Sequence, residues 1–301
     1  MENIGLIGTG VMGLTAAEKI IAAGHTLTVY DVSSQAAERA RRIGAQVVQS
    51  PAEVAKKSDI ILLFLPGPNE ISQCVTARDG VLSASKAGSV IADMSTSDPK
   101  TSLLMAEYAG KKNVGYLDAP VLGRPITVGN WALPVGGKKE DLDRCQSVFQ
   151  LFAANIFHAG PSGSGHKIKL LNQLMFGAIN AMTAEMMALA EKIGIRPRQL
   201  FEIITASQAG TVSNLFKELG GRISEENYED PTFTVDLLVK DIKLAVQMAK
   251  ENNAPPILAR SIELINEISQ AQGLGNRDTA IMWKSYRGIW GELLMRDSKN
   301  T

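Results

Sequence analysis

Cysteine is nearly absent. The 301 residues hold two, Cys74 and Cys145, with no motif around either. That leaves no disulfide framework and suits reduced thiols in a cytoplasmic protein. Net charge is absent as well: lysine plus arginine and aspartate plus glutamate both number 31. Nothing in that balance favours nucleic acid or an anionic membrane as a partner. No apolar run reaches the ~18 residues that would suggest a membrane span. The first residues enter a strand pattern without the basic and apolar segments of a signal peptide. Histidine is scarce, at three, and no His/Cys/Asp cluster has ligand spacing, so no metal is expected. No Ser-His-Asp arrangement stands out, and repeats and low-complexity tracts are missing.

What is present begins at once. A short apolar run, residues 4–7, is followed by Gly8, Gly10 and Gly13 in G-x-G-x-x-G spacing. An apolar-periodic helix pattern follows over about 11–23, then a second strand pattern, 26–30, that runs into Asp31. Each glycine has a physical use. Gly8 allows the tight turn out of the strand, Gly10 lets the backbone approach a pyrophosphate, and Gly13 lets the helix pack close to the sheet. The N–H groups that open the helix, at Val11 and Met12, face the phosphates. Asp31, eighteen residues after Gly13, can accept hydrogen bonds from an adenine-ribose diol. This context points to a dinucleotide site. Asp31 followed by Val32, Ser33 and Ser34, with no adjacent arginine or lysine, predicts NAD(H) over NADP(H).

Further strand patterns fall at 45–48, 59–65, 89–93, 114–117, 132–135 and 156–158, with helices between several of them. The apolar runs lack alternation, as strands covered on both faces do. Strands alternating with helices predict a doubly wound, mostly parallel α/β sheet. At Gly160–Gly165 the composition shifts, and beyond it little β-pattern is found. A helix over 166–192, roughly 40 Å long, leads into helices near 197–206, 212–219, 235–251, 256–272 and 279–290. The expected organisation is a dinucleotide-binding domain, 1–162, joined by the long helix to an all-α substrate and dimerisation domain, 163–301. Ile168, Leu171, Met175, Ile179, Met182 and Met186 form one stripe on that helix, read as core, and alanines cover much of the rest. A helix apolar nearly all round must be buried, which predicts a homodimer or homotetramer.

Four stretches beyond the glycine loop carry chemistry. They are Leu65-Pro66, Asp93-Met94-Ser95-Thr96, Asp118-Ala119-Pro120-Val121, and Gly163-x-Gly165 leading to Lys169-x-x-Asn172-Gln173. With the glycine loop they resemble, in order and spacing over nearly the whole chain, the β-hydroxyacid dehydrogenase family (3-hydroxyisobutyrate dehydrogenase, tartronate semialdehyde reductase and sulfolactaldehyde reductase type). The segment Lys240-Asp241-Ile242-x-Leu244-Ala245 also resembles that family's K-D-L-x-L-A helix. The resemblance implies a Rossmann domain, a long connecting helix and a helical C-terminal domain. It implies reversible NAD(P)-dependent oxidation of a small hydroxyacid to its semialdehyde, with Lys169 as general acid/base. It further implies cofactor contacts at Leu65, Pro66, Thr96 and Lys240, and substrate contacts at Ser95, Asn172 and Gln173. An ammonium is a competent proton donor to a carbonyl oxygen, and burial would tune it. Lys169 and Gln173, four apart, share a helix face.

The chain departs from the family where the substrate acid is held. D-A-P-V-S-G-G is here Asp118-Ala119-Pro120-Val121-Leu122-Gly123-Arg124-Pro125. Leu122 replaces a serine and Arg124 a glycine, and Gln173 replaces an asparagine. A guanidinium suits bidentate recognition of a carboxylate, sulfonate or phosphate, so Leu122, Gly123 and Arg124 are expected to line the pocket of a small anionic substrate. Alternatives are an imine reductase, against which Lys169 argues, and a non-catalytic cofactor-binding member. His25 and His158 are read as structural, and His166 as near the hinge.

Overall fold

The computed structural model describes residues 2–207 and 213–291 and divides into two units, Met1–Leu170 and Leu171–Thr301. The division falls inside the long helix, a few residues beyond the joint at which the sequence changes composition.

In the first unit the chain runs β1 Ile4–Ile7, α1 Val11–Ala22, β2 Leu27–Tyr30, α2 Ser34–Arg42, β3 Gln46–Val47, α3 Pro51–Lys57, β4 Ile60–Leu63, α4 Pro68–Thr76, α5 Val81–Ala84 and β5 Val90–Asp93. It continues with α6 Pro99–Gly110, β6 Gly115–Asp118, a 3-10 turn Pro125–Thr127, β7 Trp131–Gly136, α7 Lys139–Phe149 and β8 Ala153–Gly160. The sheet order is β3-β2-β1-β4-β5-β6-β7-β8. Every pairing is parallel except β6 with β7. The central strands β1 and β4 are apolar throughout because both of their faces are covered. Ile4, Leu6, Ile60 and Leu62 pack into one cluster, with Ile20, Trp131 and Phe149. Ile7, Ile61 and Leu63 pack into the other, with Val54, Ile71 and Tyr116. The strand order reverses between β1 and β4, and in such sheets ligands bind beyond the carboxyl ends at that point.

Local signals set several helix starts. Ser50 accepts from Glu53 N at 3.2 Å while Glu53 Oε2 accepts from Gln49 N at 3.0 Å, beside Pro51 at the first helical position. The Asp98 and Ser33 side chains cap α6 and α2 by accepting from Thr101 N and Ala36 N. Residues 68–76 and 81–84 form two helices, α4 and α5, with Pro68 as the first residue of α4; the sequence analysis predicts neither.

The second unit is helical. The long helix α8, Ser164–Lys192, feeds it and is followed by α9 Pro197–Ala206, α10 Asn214–Ser224, α11 Val235–Glu251, α12 Ile257–Ser269 and α13 Met282–Gly291. The expected helix start at Val212 lies outside the described residues. α12 ends in a turn, Gln270–Leu274, with Gly273 left-handed, and a 3-10 turn, Thr279–Ile281, precedes α13.

Much of the apolar stripe expected as the core face of α8 is exposed instead, although Ile179 is half-buried and Met186 packs against the core. Leu171, Met175 and Met182 are 60%, 63% and 62% exposed in the single chain. The face turned inward holds Gln173, Asn180, Ala181, Ala184, Met187 and Ala188. Close packing explains the reversal. A Cβ at Gly177 would come within 2.7 Å of Ile242 and 2.9 Å of Ile262, so α11 and α12 approach the helix where its side chains are smallest.

Candidate active site

The glycine loop opens the site. Gly8 leaves β1 at φ +93°, and a Cβ there would overlap the Phe64 carbonyl oxygen at the end of β4. A Cβ at Gly13 would overlap the Gly8 carbonyl oxygen, whereas one at Gly10 meets nothing within 4 Å. Gly8 and Gly13 are therefore fixed by the protein's own packing, and Gly10 keeps the approach to α1 clear. Gly10 is the N-cap of α1 and no side chain caps that end, so the helix's first N–H groups are available to phosphate oxygens. Val11 is 56% exposed, and Met12 packs against the core.

Asp31 is held from two sides. Its Oδ2 accepts from Thr9 N at 2.6 Å and Thr9 Oγ1 at 3.2 Å, and its Oδ1 accepts from Ser33 N at 2.8 Å. It lines a pocket of about 370 Å³ with Gly8, Gly10, Leu65 and Pro66. The same lining contains Glu70 and Asp79 and neither lysine nor arginine. These features fit a nicotinamide dinucleotide: a clear phosphate approach, open helix N–H groups and a fixed ribose acceptor.

The ends of β5 and β6 build the other half. Asp93 Oδ1 accepts from Ser95 N at 3.0 Å and its Oδ2 from Tyr116 Oη at 2.9 Å. Ser95, expected at the substrate, is 5% exposed, and its hydroxyl accepts from Leu65 N at 2.9 Å. Thr96 next to it is half-buried. The Asp118 carboxylate, buried at the end of β6, accepts from Gly163 N at 2.7 Å and His166 N at 3.0 Å. An anion at the start of a helix meets its unpaired N–H groups and the positive end of its dipole. Burial pushes the Asp118 carboxyl up, while the His166 ring and these two N–H groups pull it down. Gly163 turns at φ +89°, and a Cβ at Gly165 would overlap the carbonyl oxygens of Asp118 and Pro134. The joint is thus a close contact between a strand end and a helix start.

His166 is fully buried. Its Nε2 lies 3.1 Å from Ser95 O and its Nδ1 2.7 Å from Ser102 Oγ. A carbonyl can only accept, so Nε2 carries a proton and the ring ties the Ser95 loop to α6.

One turn further along α8, Lys169 is half-buried and its Nζ donates to Val121 O at 2.8 Å. Val121 is followed by Leu122, bonded in both directions to Ala132, and by the exposed Gly123 and half-buried Arg124. The first unit therefore brings together the glycine loop, Asp31, Leu65, Pro66, Ser95, Thr96, Lys169 and loop 121–124 at the carboxyl edge of its sheet.

Asn172, Gln173 and Lys240 belong to the second unit. Asn172 is exposed. Gln173 is buried, and its Nε2 donates to Asp241 Oδ2 at 2.5 Å. Lys240 Nζ lies 2.8 Å from Asp241 Oδ1. The longer side chain at 173 thus reaches an acid in α11. The roles of Asp118, His166 and Asp241 have little trace in the sequence; a charged residue ending an apolar strand is the one local signal, at Asp118.

Comparison with known proteins agrees with this geometry. Residues 3–160 match the model of the NAD binding domain of 6-phosphogluconate dehydrogenase. Residues 163–286 match that of the NAD-binding region of NADP-dependent 3-hydroxyisobutyrate dehydrogenase. The chain belongs to the β-hydroxyacid dehydrogenase family. Within this family it is 33% identical to an uncharacterized oxidoreductase, YkwC, of Bacillus subtilis, over 94% of this chain and 98% of the relative. It is 32% identical to 2-(hydroxymethyl)glutarate dehydrogenase of Eubacterium barkeri, over 96% of each. Among solved structures, 3-hydroxyisobutyrate dehydrogenase from Salmonella typhimurium superposes with a TM-score of 0.87 at 27% identity, covering 94% of this chain and 99% of that one. As a β-hydroxyacid dehydrogenase the protein is an NAD(P)-dependent oxidoreductase.

Replacing Asp118 by asparagine puts an NH2 group where one of two N–H donors must be accepted. Asp118→Asn should cost about 1–3 kcal/mol, the penalty of one unsatisfied buried donor, read as a lowered midpoint in urea unfolding. An unchanged midpoint would mean that the carboxylate does not hold the helix start.

Proposed function

We propose that the protein is an NAD-dependent dehydrogenase that interconverts a short hydroxyacid, or hydroxysulfonate, and its semialdehyde, with Lys169 as general acid and base. The observation that carries this reading is the half-buried Lys169 ammonium, fixed 2.8 Å from the Val121 carbonyl at the end of the sheet. In reduction, Lys169 Nζ gives a proton to the substrate's carbonyl oxygen; in oxidation, its neutral amine takes the hydroxyl proton. The Val121 carbonyl keeps the amine aimed in both directions. When bound, the nicotinamide cofactor supplies or accepts the hydride.

Gly8, Gly10, Val11, Met12 and Gly13 would hold the pyrophosphate, and Asp31 the ribose diol. Leu65, Pro66, Thr96 and Lys240 are assigned to the cofactor by family resemblance. Preference for NAD over NADP is supported by the acids of the pocket. A 2′-phosphate would meet Asp31, with Glu70 and Asp79 in the same lining and no cation there. Arg124 and Gly123 take the substrate's acid group, the guanidinium by a two-pronged hydrogen bond. The curated relatives include proteins named for 2-(hydroxymethyl)glutarate and 3-hydroxyisobutyrate, which supports a β-hydroxyacid as the substrate class.

The test is steady-state oxidation of 3-hydroxyisobutyrate, 2-(hydroxymethyl)glutarate and L-serine with NAD+ and with NADP+. At least one acid should be turned over, with higher kcat/KM for NAD+. Lys169→Ala should lower kcat by roughly two to four decades, the usual contribution of a general acid/base, while NADH affinity changes little. Equal efficiency with both cofactors would overturn the cofactor preference, and near-normal turnover by the alanine variant would overturn the role of Lys169.

The assembly we infer is a homodimer or homotetramer that covers Leu171, Met175 and Met182, large side chains left exposed on a 29-residue helix. Light scattering should give the mass of two or four chains, and Met175→Glu should lower it; a single-chain mass for the unmodified protein would refute the assembly.

A further inference from the structure

The main-chain groups of Arg124 are engaged by two neighbours. Its carbonyl oxygen accepts from Trp131 Nε1 at 2.8 Å, from Thr127 N at 3.0 Å and from Thr127 Oγ1 at 3.0 Å. Its N–H donates to Thr127 Oγ1 at 3.1 Å. The indole comes from β7, is fully buried, and lies against Phe152 with ring centroids 5.8 Å apart. A buried indole N–H needs an acceptor, and Arg124 O is the one it has. Gly123 makes this contact possible, since a Cβ there would overlap Cδ1 of Trp131. On the other side of Gly123, Leu122 and Ala132 exchange backbone hydrogen bonds of 2.9 and 3.0 Å. Pro125 restricts Arg124 to the extended backbone it adopts, φ −120° and ψ 159°.

Loop 122–124 is therefore a built feature: strand β7 holds it at both ends, and a glycine makes room for the ring. We infer that Trp131 and Thr127 are positioning residues for substrate recognition. They fix the peptide from which the Arg124 side chain springs, and so the point from which its guanidinium meets the substrate's acid group. A recognition group must be held to within about 0.5 Å to work, and a long side chain on an untethered loop would not be. This inference rests on the proposed role of Arg124 as the anion-binding residue.

The experiment compares Trp131→Phe, which keeps an aromatic ring but loses the N–H, with Thr127→Val, which keeps the shape but loses the hydroxyl. Both are made in the full chain and assayed with saturating NAD+ on 3-hydroxyisobutyrate and on its uncharged methyl ester. Trp131→Phe should raise KM for the acid by roughly two- to tenfold, the worth of one net hydrogen bond, and Thr127→Val, which loses two, by at least as much. The change should fall on KM rather than kcat, and the ester's KM should not move. In an Arg124→Ala background Trp131→Phe should add nothing further, because the two act as one unit. Should Trp131→Phe fold poorly, Thr127→Val at its exposed position reads the same effect.

A rise in KM for acid and ester alike would overturn the inference, as would a full Trp131→Phe effect persisting without Arg124. The parallel Arg124→Ala variant separates the failures. If it leaves the acid's KM unchanged, the anion-binding role of Arg124 falls. If it raises KM while Trp131→Phe and Thr127→Val do not, only their positioning role falls.

Discussion

The contact on which the site in the first unit depends is a buried carboxylate facing two backbone N–H groups. Asp118 ends β6 and accepts from Gly163 and His166, 45 and 48 residues further along the chain. That contact fixes where α8 begins. Lys169 lies three residues after His166, and its amine is received by Val121, three residues after Asp118. One strand end therefore grips the helix twice, once by its first turn and once by the side chain proposed to move the proton. The cost of burying Asp118 is visible in its raised pKa. The charged hydrogen bonds and the helix terminus offset that cost.

Around this joint the sheet separates two tasks. The end of β1 and β2 offers glycine backbone and one carboxylate, which suits a ligand read by its phosphates and ribose. Beside the ends of β5 and β6 lie the amine of Lys169 on α8, Arg124 in the loop that follows β6, and a polar layer of Asp93, Ser95, Tyr116 and His166 whose members are bonded to one another. Such a layer is stable only when its members are satisfied. The bond from Leu65 N to Ser95 Oγ ties this layer to the loop after β4, beside the pocket that Asp31 lines.

Much of this was legible in the sequence because the relevant signals are local. Unbroken apolar runs marked the strands, and glycine spacing with a following acid marked the dinucleotide turn. The order of short motifs marked the family. What stayed hidden depends on partners distant in the chain. The tie from Asp118 to His166 and that from Gln173 to Asp241, 68 residues away, leave no periodic trace. The face of α8 was misread for a related reason. Large apolar side chains at helical spacing predict a core face, but α11 and α12 approach at Gly177, where the absence of a side chain permits close packing. Helix α4 is hidden by the Pro66-Gly67-Pro68 stretch before it, which has the composition of a break, although proline is also favoured at a helix's first position.

The central claim is that the amine of Lys169 carries the proton. It is tested most directly by chemical rescue. In the Lys169→Ala protein, added methylamine should restore aldehyde reduction in proportion to its concentration, and amines of different basicity should rescue in the order of their proton-donor strength, corrected for size. A variant that turns over at the unmodified protein's rate, with no response to any amine, would contradict the account.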